Sequence, residues 1–173
     1  GISFMKIVEK LDAGPYMKQL KVQLNKQTTS KILNEKMSEL GAKNILECIN
    51  LIANDKAEFI NQEEAKATYA KKITKEEAKI NWEETAENVL AKVNSFNPSP
   101  GAWFEFENKR YKIWKAELSE LTDVPGKIIN EKLVIACKSK SIKILEIQKE
   151  GKNKLSIDDF IVGTKIFKGS QIL

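Results

Sequence analysis

Apolar and polar positions change their period twice along the chain, and each change marks a change of element type. Ile2-Ser3-Phe4-Met5-Lys6-Ile7-Val8 is a nearly continuous apolar run that predicts a buried strand. Gly14-Pro15 breaks it, and Met17, Leu20, Val22 and Leu24 predict a second strand over 16–24. Thr28-Thr29-Ser30 offers helix caps, and Leu33, Met37 and Leu40 follow at helical spacing. Gly41 is expected to end or interrupt that helix before the stripe Ile45, Cys48, Ile49 and Ile52. Residues 54–80 are polar and charged and read as an ordered linker, with Tyr69, Ile73 and Ile80 able to dock on a neighbour.

Asn81-Trp82-Glu83-Glu84 fits a capping box, with Asn81 as cap, for a helix burying Trp82, Ala86, Val89, Leu90 and Val93. Asn97-Pro98-Ser99-Pro100-Gly101 stops it. The period then falls to two. Strands are expected at 103–106, 110–116, 127–130, 133–137 and 141–147, with hairpin turns at Glu107-Asn108-Lys109 and Lys138-Ser139-Lys140. Five short strands in so few residues predict a small antiparallel barrel. Ser156-Ile157-Asp158-Asp159-Phe160 predicts a capped helical turn near the end. Trp103, Phe104 and Phe106 are expected to fill the barrel rather than stack on bases.

The 173 residues suffice for one ordinary domain or two small ones. No apolar run reaches the roughly 20 residues that span a bilayer, and the first residues lack the pattern of a signal peptide. The chain opens directly in strand-like residues without an initiator Met and is expected to be truncated upstream. Cys48 and Cys137 both sit in apolar runs and are expected to be buried thiols in a reducing compartment. With no His and no close Cys pair, no metal site is expected. The net charge is +5, and residues 96–173 carry +4 of it, which suits a polyanion partner or an ordinary Lys-rich surface.

Three basic groups stand out. Lys71, Lys75 and Lys79 would share one face if their segment were helical, with Lys72 beside them, although Glu76 and Glu77 could equally make this a solvated linker. Lys109, Arg110 and Lys112, with Lys115, lie on the first hairpin, and the Lys112 side chain is expected to face away from the core. Lys149, Lys152 and Lys154 form a third group. Asp12, at a strand end before a Gly-Pro turn, could orient an imidazole or assist proton removal from an amine, or could simply cap the turn.

Three stretches, in order, resemble methionyl-tRNA formyltransferases. Gly1 to Pro15, through Lys10-Leu11-Asp12-Ala13-Gly14-Pro15, is similar to the family's strand and Gly-Leu-Asp-(Thr/Ala)-Gly turn, with Lys10 in place of the first Gly. Ala67 to Trp82 resembles the family's linker. Phe96-Asn97-Pro98-Ser99-Pro100-Gly101-Ala102 is similar to Phe-Asn-Pro-Trp-Pro-Gly-Ala, with Ser99 replacing Trp and Asn94 standing where an Arg often precedes the run. The resemblance extends over the whole chain.

The resemblance implies an α+β chain. Residues 1–60 would be the last part of an α/β, nucleotide-fold-like catalytic domain, 61–80 a linker, and 81–173 a barrel like those that bind oligonucleotides. It implies a cytoplasmic, monomeric enzyme of translation initiation that moves a formyl group from 10-formyltetrahydrofolate to the α-amine of methionyl initiator tRNA. Of the family's Asn, His and Asp, only the Asp has a counterpart, Asp12. The chain alone is therefore expected to be inactive. Lys71, Lys72, Lys75, Lys79, Lys109, Arg110, Lys112 and Lys152 are the implied tRNA contacts. The alternatives are a sugar-nucleotide formyltransferase of the same architecture and a stand-alone RNA-binding barrel.

Overall fold

A computed structural model of the chain describes residues 1–164 and 168–172. It divides into two compact units: residues 1–25 with 31–72, and residues 26–30 with 73–173.

In the first unit, β1 (Ile2–Met5) pairs antiparallel with β2 (Tyr16–Leu20). Both strands are shorter than their apolar runs predict. Ile7 is 98% exposed and lies beyond β1. The pairing instead closes into the Asp12 turn, where the Lys6 N–H donates to the Pro15 carbonyl at 2.9 Å. The helix α1 (Ser30–Ala53) runs unbroken through Gly41, contrary to expectation. A single glycine costs a helix about 1 kcal/mol, which its good helix-forming neighbours Glu39, Leu40, Ala42 and Lys43 offset. The helix ends in a Schellman motif. Asp55 takes φ +53, the Lys56 N–H donates to the Leu51 carbonyl at 2.9 Å, and the Asp55 N–H donates to Ile52 at 3.1 Å.

The second unit is built round an antiparallel sheet. Its strands are β3 (Ala102–Phe106), β4 (Lys109–Ser119), β5 (Val134–Ala136), β6 (Ser141–Lys149) and β7 (Lys154–Ser156). The order is β3-β4-β6-β5, with β5 and β7 sharing the second edge of β6 end to end. The sheet curls round one core as a half-barrel. The expected strand at 127–130 is reduced to isolated bridges, Ile128 to Ile135 and Lys127 to Gln171, and β7 arises where none was expected. The β3–β4 hairpin turns at Glu107 and Asn108, both at positive φ, as a two-residue hairpin turn demands.

Helix α2 (Ala86–Ser95) starts later than expected. Thr85 is its cap, its hydroxyl accepting from the Asn88 N–H at 3.2 Å, whereas the Asn81 side chain accepts from the Glu83 N–H in a local turn. The chain between them is held to the sheet because the Lys138 N–H donates to both the Trp82 and Glu84 carbonyls at 3.0 Å. Thr85→Ala should therefore cost the second unit about 1 kcal/mol in urea unfolding, and Asn81→Ala clearly less. The helix α3 (Ile157–Gly163) is capped by Ser156, as expected.

The core joins α2, the inner face of the sheet and α3. Its centre is a run of aromatic rings. Phe104 meets Trp82 edge-on at 5.7 Å and stacks on Tyr111 at 5.5 Å, and Tyr111 meets Phe160 edge-on at 6.0 Å.

Candidate nucleic-acid interface

Strand alternation decides which hairpin residues face solvent. Ala102, Phe104 and Phe106 of β3 enter the core, so Trp103 and Glu105 take the outer face. This corrects the expectation that Trp103 fills the barrel. It is only 4% exposed, yet what covers it is polar. The Arg110 guanidinium lies 3.9 Å from its ring centre and the Lys79 ammonium 5.4 Å. Its indole N–H donates to the Lys75 carbonyl at 2.9 Å, and its carbonyl accepts from the Ile80 N–H at 2.7 Å. One ring thus gathers the end of the linker and the first hairpin.

Arg110, Lys112 and Trp114 share this outer face of β4. A bulge leaves Trp114 unpaired between Ile113, opposite Ile147, and Lys115, opposite Glu146. The side chain of Asn97 satisfies the freed Trp114 carbonyl at 2.8 Å. The bulge turns the Trp114 indole towards β6, where it donates to the Gln148 Oε1 at 3.0 Å. Lys112 reaches back across Trp114, its ammonium 5.5 Å from the ring, and donates to the Pro100 carbonyl at 2.7 Å. Gly101 must be glycine for this packing: its φ is +86, and a Cβ would lie 3.0 Å from both Lys112 and Trp114. An open cleft of about 290 Å³ results, lined by Arg110, Lys112, Gln148, Glu150 and Gly151.

Lys92, Lys127, Lys140, Lys143 and Lys154 each lie within 4 Å of a carboxylate. Among the described residues Arg110 and Lys112 pair with none, and the Arg110 Nε is buried without a partner. The other expected contacts are dispersed. Lys79 is partly spent on Glu105 at 3.8 Å, and Lys154 on Glu146 at 2.7 Å. Lys109 is exposed at the hairpin. Lys152 is exposed in the β6–β7 turn, and its carbonyl accepts from the Gln148 Nε2 at 2.7 Å. Lys71 and Lys72 are exposed in the first unit. The shared helical face of Lys71, Lys75 and Lys79 does not form. Residues 71–75 are irregular, and only Glu76–Ala78 make a 3₁₀ turn. Trp114 and Gln148 were not foreseen in this surface, although the alternation along β4 was enough to place Trp114 beside Lys112.

Asp12 belongs to the first unit. It takes φ +54 in the tight β1–β2 connection, where the Gln62 Nε2 donates to the Asp12 carbonyl at 2.8 Å and the Gly14 carbonyl at 2.7 Å. Its carboxylate is exposed and has no hydrogen-bond partner among the described residues, so it does not cap the turn. Gly14 permits the closure, since a Cβ there would fall 1.8 Å from the Lys6 carbonyl oxygen.

Both cysteines are free and buried. Burial pushes the Cys137 thiol up to about 12, so it carries almost no thiolate at neutral pH. Native protein at pH 8 should leave Cys137 unmodified by iodoacetamide, and urea should release it. Among the described residues no group of His, Cys, Asp and Glu could hold a metal ion, and no helix is long and apolar enough to cross a membrane.

Residues 72–165 match the family described as formyl transferase, C-terminal domain. The chain belongs to the formyl transferase family. Among the similar family members, the methionyl-tRNA formyltransferase of Pelagibacter ubique is 42% identical over 173 residues, covering 99% of this chain and 56% of its own. That of Rickettsia canadensis is 36% identical over 172 residues, covering 98% and 56%. This family member thus spans a little over half the length of the curated relatives it matches. HypX from Aquifex aeolicus, solved in complex with tetrahydrofolic acid, superposes with a TM-score of 0.69 at 19% identity over 92% of this chain and 29% of its own. The N-formyltransferase from Helicobacter canadensis, solved with folinic acid and dTDP-3-aminofucose, gives 0.62 at 18% over 84% and 54%. These likenesses establish a shared fold.

Proposed function

We propose that the chain is part of a methionyl-tRNA formyltransferase, the cytoplasmic, monomeric enzyme that moves a formyl group from 10-formyltetrahydrofolate to the α-amine of methionyl initiator tRNA. The identity of 42% and 36% to proteins of that name, along almost the whole chain, carries this reading. In it, residues 1–60 belong to the catalytic domain, and the half-barrel of the second unit acts as an oligonucleotide-binding barrel. The geometry supports this role through Arg110 and Lys112, two cations without carboxylate partners, held rigidly over indole rings. Rigid cations of this kind suit phosphates of a nucleic-acid backbone, which they bind without reading sequence. Lys71, Lys72, Lys75, Lys79, Lys109 and Lys152 would add longer-range attraction.

Asp12 would face the reacting amine or an imidazole supplied from elsewhere in the enzyme. The amine attacks only when neutral, and an exposed carboxylate at a rigid turn can hold an imidazole in the orientation that takes its proton. In the enzyme so proposed, the formyl donor would be held mostly by residues outside this chain, which spans a little over half the length of its relatives.

Competition binding tests the reading. Initiator tRNA should bind the chain, and a dTDP-amino sugar in excess should not displace it. Tight binding of the sugar nucleotide without tRNA binding would favour the sugar-modifying branch of the fold instead. With formyl donor and methionyl-tRNA added, this histidine-free chain should yield no formylmethionine above background.

A further inference from the structure

The cleft on the outer face of the second unit has a charge pattern that phosphate attraction alone does not explain. It is a square of four side chains, two on β4, one on β6 and one in the turn that follows β6. Lys112 lies opposite Gln148 in the β4–β6 register. One step further, the Glu150 N–H donates to the Arg110 carbonyl at 2.9 Å, which puts Glu150 opposite Arg110. Two cations therefore line one side, about 7 Å apart along the strand. A carboxylate and an amide line the other side, about 5 Å across. Arg110 and Glu150 do not neutralise each other, since neither has an ion-pair partner among the described residues. Gly151 leaves the rim open: its φ is +71, and a Cβ there would meet nothing within 4 Å.

Three of the four side chains are held in place by other parts of the second unit. Arg110 is stacked on Trp103 and Lys112 is tied to the Pro100 carbonyl. The Gln148 amide is anchored at both ends, accepting from Trp114 through Oε1 and donating to the Lys152 carbonyl through Nε2. A carboxylate inside a purely phosphate-binding cleft would only repel its ligand. It becomes useful if the ligand carries a hydroxyl donor beside its anion. A ribose–phosphate unit has that pairing, and the 2′-hydroxyl is what distinguishes RNA from DNA at a given position. We infer that this cleft seats one ribose–phosphate unit of an RNA strand, with the phosphate on Arg110 and Lys112 and the 2′-hydroxyl donating to the Glu150 carboxylate. The inference rests on the proposed RNA-binding role and adds a sugar-reading contact to it.

The test compares the 173-residue chain with its Glu150→Ala, Glu150→Gln and Lys112→Gln variants. Each binds the unmodified initiator tRNA sequence and its fully 2′-fluoro counterpart, which keeps the A-form but cannot donate. Glu150 is exposed in a turn, so its variants keep the fold. The starting chain should favour the 2′-hydroxyl RNA. Glu150→Ala should weaken binding to that RNA about tenfold, as expected for loss of a hydrogen bond to a charged acceptor, and remove the preference. Glu150→Gln should keep part of it. Lys112→Gln should weaken both RNAs alike. If Glu150→Ala instead tightens both RNAs equally, Glu150 is only a repelling charge and the inference is overturned. Displacement of the RNA by 5′-AMP at equimolar concentration would also overturn it, because a free nucleotide would then suffice. RNA binding that is insensitive to all three variants overturns the cleft and leaves the proposed function standing. No RNA binding by the starting chain overturns both.

Discussion

Replacing Phe104 with alanine should destabilise the second unit by about 3–5 kcal/mol, the usual cost of deleting a buried aromatic side chain. Phe104 is 1% exposed and stands between Trp82 and Tyr111, so its removal leaves two large rings without their common neighbour. Little can collapse into the gap. Ala102 and Phe106 flank it on the same strand face and are fixed by pairing with Ile113 and Lys109. A domain of this size has about 5–15 kcal/mol in all, so the variant should lose a large share of its stability and unfold at a clearly lower urea concentration. Glu105→Ala, on the same strand but facing solvent, should change stability by no more than about 0.5 kcal/mol. Urea unfolding of both variants measures the difference. A loss below about 1 kcal/mol for Phe104→Ala would mean that the aromatic run is not the core.

The second large effect is a difference between the units. In the second unit Ile142, Ile144 and Ile147 of β6 are fully buried. In the first unit Cys48 is the one buried residue of α1, while Ile45, Leu46, Ile49 and Ile52 are each 42% exposed or more. Backbone hydrogen bonds in an element with so little buried apolar contact open at lower free energy. Amides of 45–52 should therefore exchange at least about 100-fold faster than those of 142–147 under native conditions. Equal protection in both segments would show that the two units open together. The same difference directs proteases to 54–72 first and leaves a resistant fragment from the second unit.

Much of this could be read from residue patterns because the signals were local. The two-residue period over 103–116, the Pro98 and Pro100 stop, and the Ser156 cap each depend on a few neighbours, and each appears in the fold. The failures share a cause. Asn81 and Thr85 carry the same capping chemistry, and the choice between them is made by Lys138, more than fifty residues later. Residues 127–129 pair piecemeal, with the Ile129 N–H donating to the Val134 carbonyl and the Ile128 N–H to the Ser170 carbonyl, and the second of these partners lies about forty residues away, where no local pattern announces it. Lys71, Lys75 and Lys79 have helical spacing, but Trp103 bonds the chain at Lys75 and at Ile80, and only the single 3₁₀ turn Glu76–Ala78 fits between those two anchors. The basic residues were legible as a set. Which of them are rigid was not, because rigidity here comes from Trp103, a bulge at Trp114 and a clamped Gln148, all contacts across strands.

Affinity for initiator tRNA measured across a range of monovalent salt tests most directly whether the Trp103 face is the one that holds RNA. Neutralising Arg110 and Lys112 together (R110Q, K112Q) should lower the magnitude of the slope of log affinity against log salt by about 1.5, since each lost phosphate contact removes about 0.7–0.9. Neutralising Lys21 and Lys43 of the first unit should leave that slope unchanged. If both pairs reduce the slope and the affinity equally, the attraction is general positive charge, and the outer face of the sheet is not the RNA-binding surface.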